Sequence, residues 1–361
     1  MNPVTAILIG AGARGQIYAR YAQEHPEELR IIAVAEPKAD RRALMCRAYG
    51  IPADRAFSNW EDLMARPQMA DAALICTLDD MHTEPTLAAL KQGYHVLLEK
   101  PMSNSETECR AIAAAAEEAQ RVLSVCHVLR YTPFYRTIKQ LIDDGQVGEV
   151  ASLSQVENVG YWHHAHSFVR GNWRCSEQTS PMILQKSCHD MDILLWLSGQ
   201  RCTRVSSFGS LHHFDAAHAP QDAPLRCTDG CPHSVVCPYD AGKIYLTDNV
   251  GWPTEMLTTD LSREGRLKAL REGPYGRCVY HSDNDVVDRQ VVNLEFDNGA
   301  VASFTMTAFT TDMARQLKVC GTKGQITADM NANTVSLHRF GESGPREITL
   351  ETPPQTNNYG H

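Results

Sequence analysis

The chain has 361 residues, more than one hydrophobic core usually organises, with 43% apolar and 21% charged residues and a formal net charge of −9. That balance excludes a disordered tail protein, and the acidic charge argues against a nucleic-acid partner, whose phosphates require a basic face. Apolar runs are short and broken by charge or Gly, well under the roughly 20 residues of a membrane span, and Val4–Ile9 reads as a strand rather than a signal peptide.

Through about residue 128 the pattern alternates. Strands are predicted at Val4–Ile9, Ile31–Ala35, Ala72–Cys76, His95–Leu98 and Val122–Cys126. Helices are predicted at Gln16–Glu24, Arg41–Tyr49, Glu84–Gln92 and Glu106–Gln120, the last opened by a capping box, Ser105 with Glu108. Short continuous apolar strands between amphipathic helices predict a doubly wound parallel sheet covered on both faces. From residue 129 to 361 the text changes. A helix is predicted around Phe134–Asp143, a strand from Val150 and a helix over His189–Leu197. Hairpins follow at Gln290–Phe296 with Ala300–Thr307 and at Leu317–Cys320 with Gln325–Ala328. This second domain reads as α+β on an open antiparallel sheet, with an insertion at about 209–288 rich in His, Pro, Gly and Cys.

Gly10, Gly12 and Gly15 form a GxGxxG between the first strand and the first helix. The first glycine allows the tight turn, the second lets a pyrophosphate approach the backbone, and the third lets helix and strand pack closely. Arg14 lies inside this motif, and the helix start offers free N–H groups to phosphate. Glu36 ends the second strand, 21 residues beyond Gly15, where a carboxylate accepts from ribose hydroxyls. It favours NAD over NADP, because a 2′-phosphate would meet a like charge; Lys38, Arg41 and Arg42 soften that preference. Glu99-Lys100-Pro101 follows the His95–Leu98 strand, so Lys100 is expected at the carboxyl edge of the sheet, able to exchange a proton with a substrate hydroxyl. The loop Thr77–His82 ends the preceding strand and is expected beneath the nicotinamide ribose, although His82 also suits a plain helix start.

These motifs, with Cys188-His189-Asp190-Met191-Asp192, resemble the Gfo/Idh/MocA (glucose-fructose oxidoreductase / inositol dehydrogenase) family across almost the whole chain. The resemblance implies a Rossmann domain, a second domain whose open sheet mediates homo-oligomerisation, and NAD(P)-linked redox chemistry on a sugar, cyclitol or glycoside hydroxyl. It carries catalytic roles to Lys100 and His189. The family's Asp-x-x-x-His pattern is broken here: Gln185 stands four residues before His189, and Lys186 follows it. Gln cannot act as a base or bind a proton near neutrality, so Lys186 is expected either to assist as acid/base or to pair with Asp190 or Asp192. His189 opens a helix, whose dipole favours neutral imidazole. Similar subgroup members run on past the point where this chain stops, Asn357–His361.

The dense segment Tyr161–Trp173 suits carbohydrate, with aromatic faces for C–H surfaces and polar groups for hydroxyls. Tyr161, His163, His166, Arg170 and Trp173 are its candidates, joined by Arg130 and Tyr131 at the domain junction. A structural loop is the competing reading, and a metal reading of the three histidines has no nearby carboxylate or Cys to support it. Twelve cysteines without a leader fit reduced thiols in a cytoplasm. Cys227, Cys231 and Cys237, with Cys278 forty-one residues on, suggest a structural zinc site stapling the insertion. Buried free thiols and an iron–sulfur cluster are the rivals. Three functional readings stand: a dehydrogenase, an NAD-recycling glycosidase working through transient oxidation and elimination, and a cofactor-binding sensor.

Overall fold

The computed structural model describes residues 2–350, which form two compact units, 2–127 and 128–350. Asn357–His361, where the chain stops, lies outside the described residues.

The first unit alternates β1 (Val4–Ile9), α1 (Ala13–Glu24), β2 (Leu29–Ala35), α2 (Ala39–Tyr49), β3 (Ala56–Phe57), α3 (Trp60–Met64), β4 (Ala72–Ile75), α4 (Thr83–Lys91), β5 (His95–Leu98), α5 (Glu106–Ala119) and β6 (Leu123–Val125). All pairings are parallel and the order is β3-β2-β1-β4-β5-β6, that of a doubly wound dinucleotide fold. The continuous apolar text of β1 is explained by burial on both faces. Ile7 and Ile9 point into one core with Leu63, Leu90 and Ile112, while Ala6 and Leu8 point into another with Ala19 and Met45. The capping serine of α5 is in place, its Oγ accepting from the Glu108 N–H. Sequence periodicity misses β3 and α3; two and five residues are too few to show a period.

The second unit contains α6 (Pro133–Asp143), β7 (Val150–Asn158), α7 (Tyr161–His164), α8 (Met182–Gln185), α9 (Cys188–Ser198), β8 (Cys202–Ser210), α10 (Ala241–Tyr245), α11 (Arg263–Glu272) and strands β9 (Arg289–Phe296), β10 (Val301–Thr307), β11 (Ala314–Gly321), β12 (Gly324–Asp329), β13 (Thr334–Arg339) and β14 (Arg346–Ile348). Its eight strands lie in the order β14-β13-β12-β11-β7-β10-β9-β8. Alternation on β9, β10 and β11 turns Val292, Leu294, Phe304, Met306, Leu317 and Val319 onto Phe134 and Ile138 of α6 and Ile193, Leu194 and Leu197 of α9. The opposite face exposes short polar residues such as Ser154, Ser303 and Thr305. The predicted sheet needs one correction: it is mixed, because β7 and β10 pair in parallel. The chain between those two strands runs through α7–α11, β8 and β9, so no tight hairpin dictates an antiparallel return. Residues 161–170 are also helical. Among the described residues no helix is long and apolar enough to cross a membrane.

Candidate functional site

In the first unit the predicted cofactor residues gather at the carboxyl edge of the sheet, around the reversal of strand order at β1 and β4. Gly10 has φ +91°, and a Cβ there would stand 2.5 Å from the Cys76 carbonyl oxygen at the end of β4. A Cβ on Gly15 would stand 2.1 Å from the Gly10 carbonyl oxygen. Gly12 differs: the nearest atom to a Cβ there is an Arg41 guanidinium nitrogen at 3.9 Å. The loop is therefore closed at its two ends and open in the middle, under a cation. No side chain caps α1, which begins immediately after Gly12, so its N–H groups remain available to an anion. These residues fit a dinucleotide pyrophosphate. Glu36 is buried, its Oε2 accepting from the Ala11 N–H (2.8 Å) and its Oε1 from the Lys38 N–H (2.9 Å), which pins the carboxylate beside the glycine loop.

Arg14 turns out to serve the neighbouring strand. Its Nε donates to Glu99 Oε1 at 2.7 Å and its Nη2 to the Tyr18 hydroxyl at 2.6 Å, while Tyr18 also donates to Glu99. The other Glu99 oxygen accepts from the Lys100 N–H at 2.8 Å. Burial would raise the Glu99 carboxyl, but Arg14 and Lys100 outweigh it and hold it below the usual carboxylate range. A fixed anion thus ties the Glu99–Pro101 turn to α1 and sets where Lys100 starts. Tyr18 is a member of this brace that the motif reading missed. His82 is a second brace: it is buried, with Nδ1 2.7 Å from the Pro101 carbonyl oxygen and Nε2 3.3 Å from that of Thr77. Its ring joins the loops after β4 and β5, which corrects the expectation that it contacts cofactor directly. The Thr77 hydroxyl donates to the Met81 carbonyl, closing the same loop.

In the second unit, His189 lies in the first turn of α9 and Gln185 closes α8, donating from Nε2 to the Trp173 carbonyl at 3.0 Å. Lys186, between the two helices, pairs with neither Asp190 nor Asp192. Its Nζ lies 3.2 Å from Glu157 Oε1 on β7. Asp192 instead takes Arg130, whose guanidinium also sits over the Trp196 ring at 5.7 Å. Asp190 takes Arg315, with Nε–Oδ1 at 2.9 Å and Nη2–Oδ2 at 3.2 Å. Glu157 and Arg315 were not singled out from the sequence; the signal was a polar pair, Gln155 and Glu157, on the inward parity of a strand that buries Leu153.

The aromatic segment divides. Tyr161 and His163 are half-buried, His163 lying against Trp252 (4.9 Å between ring centroids) and Phe168 (5.7 Å), and Tyr131 is exposed. Burial, reinforced by the Lys186 charge, pushes His163 well below its ordinary value. Trp173 packs against the main core of this unit. His166 and Arg170 are corrections. His166 stacks on Tyr275 at 4.7 Å with its Nδ1 2.9 Å from the Tyr245 hydroxyl, and burial pushes it down to about 3. Arg170 is fully buried, donating to the carbonyls of Arg277 and Tyr239, both at 2.7 Å, and to Cys227 Sγ at 3.5 Å. Neither side chain is free to read a hydroxyl.

Arg170 leads to the cysteines. Cys227, Cys231, Cys237 and Cys278 all line one cavity of about 20 Å³, with Arg170 in its wall. No three of their sulfurs lie within 4.8 Å of one another among the described residues. Four thiols are donors of the right type for a soft metal, but their sulfurs are not gathered at ligand spacing. Zinc with four thiolates carries two negative charges, and the buried guanidinium beside Cys227 meets no carboxylate at ion-pair distance among the described residues.

The parallel sheet and glycine cradle define the first unit as a dinucleotide-binding Rossmann unit, here followed by an α/β unit. The chain belongs to the Gfo/Idh/MocA oxidoreductase family: the model for its NAD-binding Rossmann fold matches residues 4–127 and that for its C-terminal alpha/beta domain matches residues 139–355. A putative oxidoreductase of Bacillus subtilis, YteT, is 25% identical over 82% of this chain and 67% of its own length. The inositol 2-dehydrogenase of Corynebacterium glutamicum is 28% identical over 55% of each chain, so this match spans about half of that relative. An inositol dehydrogenase homologue from Azotobacter vinelandii, solved with NADH and myo-inositol, has the same fold, with a TM-score of 0.66, 14% identity, and 99% of this chain and 79% of that one covered.

Proposed function

We propose that this chain is an NAD-dependent oxidoreductase that removes a hydride from a secondary hydroxyl-bearing carbon of a sugar, cyclitol or glycoside. The observation that carries the reading is the β1–α1 loop, sterically shut at Gly10 and Gly15 and open at Gly12 below Arg41. The names of the inositol 2-dehydrogenase relatives support the substrate class. NAD, when bound, supplies the hydride acceptor. Gly10, Gly12, Gly15 and the α1 N–H groups hold its phosphates, and Glu36 holds the adenosine ribose and disfavours a 2′-phosphate. Arg14, Glu99 and His82 set the two loops from which Thr77 and Lys100 project. Lys100 and His189 exchange the hydroxyl proton with the substrate and Lys186 assists. Tyr161, His163, Trp173, Arg130 and Tyr131 are assigned to substrate. Structural zinc on Cys227, Cys231, Cys237 and Cys278 orders the insertion, and the outward face of the second unit's sheet meets a second copy.

The test is a sugar, cyclitol and nitrophenyl-glycoside panel with NAD. Stoichiometric NADH is expected, and Lys100→Met removes it while NAD affinity stays within a few-fold. Aglycone release with catalytic NAD and no net NADH would replace this reading by transient oxidation; NAD binding with neither product would replace it by a sensor. Metal analysis of the purified chain is expected to return about one zinc; a folded, metal-free protein with four titratable thiols removes the site.

A further inference from the structure

The break in the Asp-x-x-x-His pattern leaves the second unit without the carboxylate that would stand at position 185. A carboxylate is nevertheless present nearby, supplied from another part of the fold. Glu157 sits on the inward face of β7, and the β7–β11 register places Arg315 directly across from it. The Arg315 guanidinium contacts both Glu157 and Asp190, and the Gln155 amide donates to Asp190. Lys186 completes the set through Glu157. Two carboxylates and two cations from β7, β11, α9 and the α8–α9 junction thus balance one another.

The members are not equivalent. The side chains of Asp190, Glu157 and Arg315 are 0%, 3% and 6% exposed, whereas that of Lys186 is 19% exposed. Arg315 cannot give up a proton at any working pH. The mobile proton of the cluster therefore belongs to Lys186 and Glu157, and only the Lys186 end can be reached from outside. Burial, only partly offset by Arg315, pushes the Glu157 carboxyl up, to about 7. Burial, only partly offset by Glu157, pushes the Lys186 amine down. The charged groups facing Lys186 are Glu157, Arg315 and Asp190, and the Lys186 charge in turn acts on the ring of His163 on α7.

We propose that Glu157 is a positioning residue: it holds Lys186 at the rim of this cluster as the acid/base that Gln185 cannot be. This rests on the dehydrogenase reading. As the substrate C–H electron pair leaves as hydride for the nicotinamide, the hydroxyl O–H bond breaks and its electron pair forms the C=O bond. In this step Lys186, in its unprotonated form, takes up the proton, sharing the exchange assigned to Lys100 and His189. Glu157 then faces the ammonium so formed and keeps it in place for return of the proton in the reverse direction.

The experiment compares wild type, Glu157→Gln, Glu157→Asp, Lys186→Met and the Glu157→Gln/Lys186→Met double variant, following NADH formation against pH. Glu157→Gln is expected to lower kcat roughly 10- to 100-fold, less than the roughly 100- to 10,000-fold that loss of an acid–base group itself costs, with KM for NAD unchanged. It also moves the acid limb of kcat to lower pH, because Lys186 loses the anion that holds its proton. Glu157→Asp keeps the limb near its wild-type position. In the Lys186→Met background the same substitution costs less than about three-fold, since the group it acts through is gone. A folded Glu157→Gln protein with an unmoved limb, or an equal loss in both backgrounds, overturns the proposal. Should Glu157→Gln fail to fold, Glu157→Asp decides alone: a limb displaced as far as that of Lys186→Met overturns it. Failure of the dehydrogenase reading shows separately, as wild type forming no NADH across the panel. In that case the ¹⁵N-lysine signal absent from Lys186→Met is titrated in wild type and in the Glu157 variants. A lower titration in Glu157→Gln supports the hold on Lys186 and an unchanged one refutes it.

Discussion

His164 gives the most direct check on the packing of the second unit. Its side chain is fully buried, stacked on Phe214 at 5.2 Å and set against Phe168 at 5.4 Å, and neither ring nitrogen has a hydrogen-bond partner among the described residues. Burial alone pushes it from 6.5 down to about 3. The folded value is depressed, so the unfolded chain binds a proton first as the pH falls. The stability linked to His164 is complete above about 6.5 and is lost progressively between there and 3. Between pH 8 and pH 5 the loss works out at about 2 kcal/mol. His164→Phe keeps a ring against Phe214 but cannot titrate. Its packing cost and its relief of two unsatisfied nitrogens are the same at both pH values, so both cancel in the pH difference. Urea denaturation followed by tryptophan fluorescence suits the purpose, because Trp162, Trp173, Trp196 and Trp252 all lie in the second unit. Wild type is expected to lose about 2 kcal/mol more than His164→Phe between pH 8 and pH 5. Equal losses would show that the ring is hydrated and that the packing described for α7 is wrong.

Three further substitutions test the remaining structure. Gly12→Ala is expected to fold with nearly unchanged thermal stability, since its Cβ meets nothing closer than 3.9 Å, and to weaken NAD at least ten-fold in calorimetry. Gly15→Ala drives a Cβ to 2.1 Å from the Gly10 carbonyl and is expected to destabilise the first unit itself; equal stability of the two variants would refute the cradle. Arg315→Leu strands Asp190 as a buried carboxylate without its cation and leaves Glu157 to Lys186 alone, and is expected to cost about 3–5 kcal/mol in urea denaturation at neutral pH. A cost below about 1 kcal/mol, the level of an exposed pair, would place those carboxylates in solvent.

What the sequence disclosed and what it withheld follow from how local each cause is. The first unit was legible, β3 and α3 apart, because its longer elements carry their own signals: apolar runs for strands buried on both faces, a glycine triplet at a turn, a serine cap on α5. The antiparallel hairpins were legible for the same reason, whereas the parallel β7–β10 pair joins residues far apart in the chain and leaves no mark in either strand. Residues 165–170 are buried on every side, so their helical winding has no amphipathic period to reveal it. Arg170 misled for a related reason. An arginine beside aromatics suggests a surface reader of hydroxyls, but here two backbone carbonyls from distant segments accept its protons and allow it inside.

The cluster around Glu157 shows where sequence reading reaches its limit. Gln185 announced a missing carboxylate in sequence, and the nearest acids along the chain, Asp190 and Asp192, seemed the natural partners for Lys186. Both were already committed to arginines, Asp190 to one on β11 and Asp192 to one just before α6. Only the register of β7 against β11, which sets Glu157 opposite Arg315, shows that the acid left for Lys186 stands 29 residues upstream on the central strand. A charge balanced in three dimensions need not be balanced in any stretch of the chain. A substitution at a motif position therefore has to be judged by which charges the fold brings beside it: here, losing Asp at 185 leaves a lysine with an acid of its own.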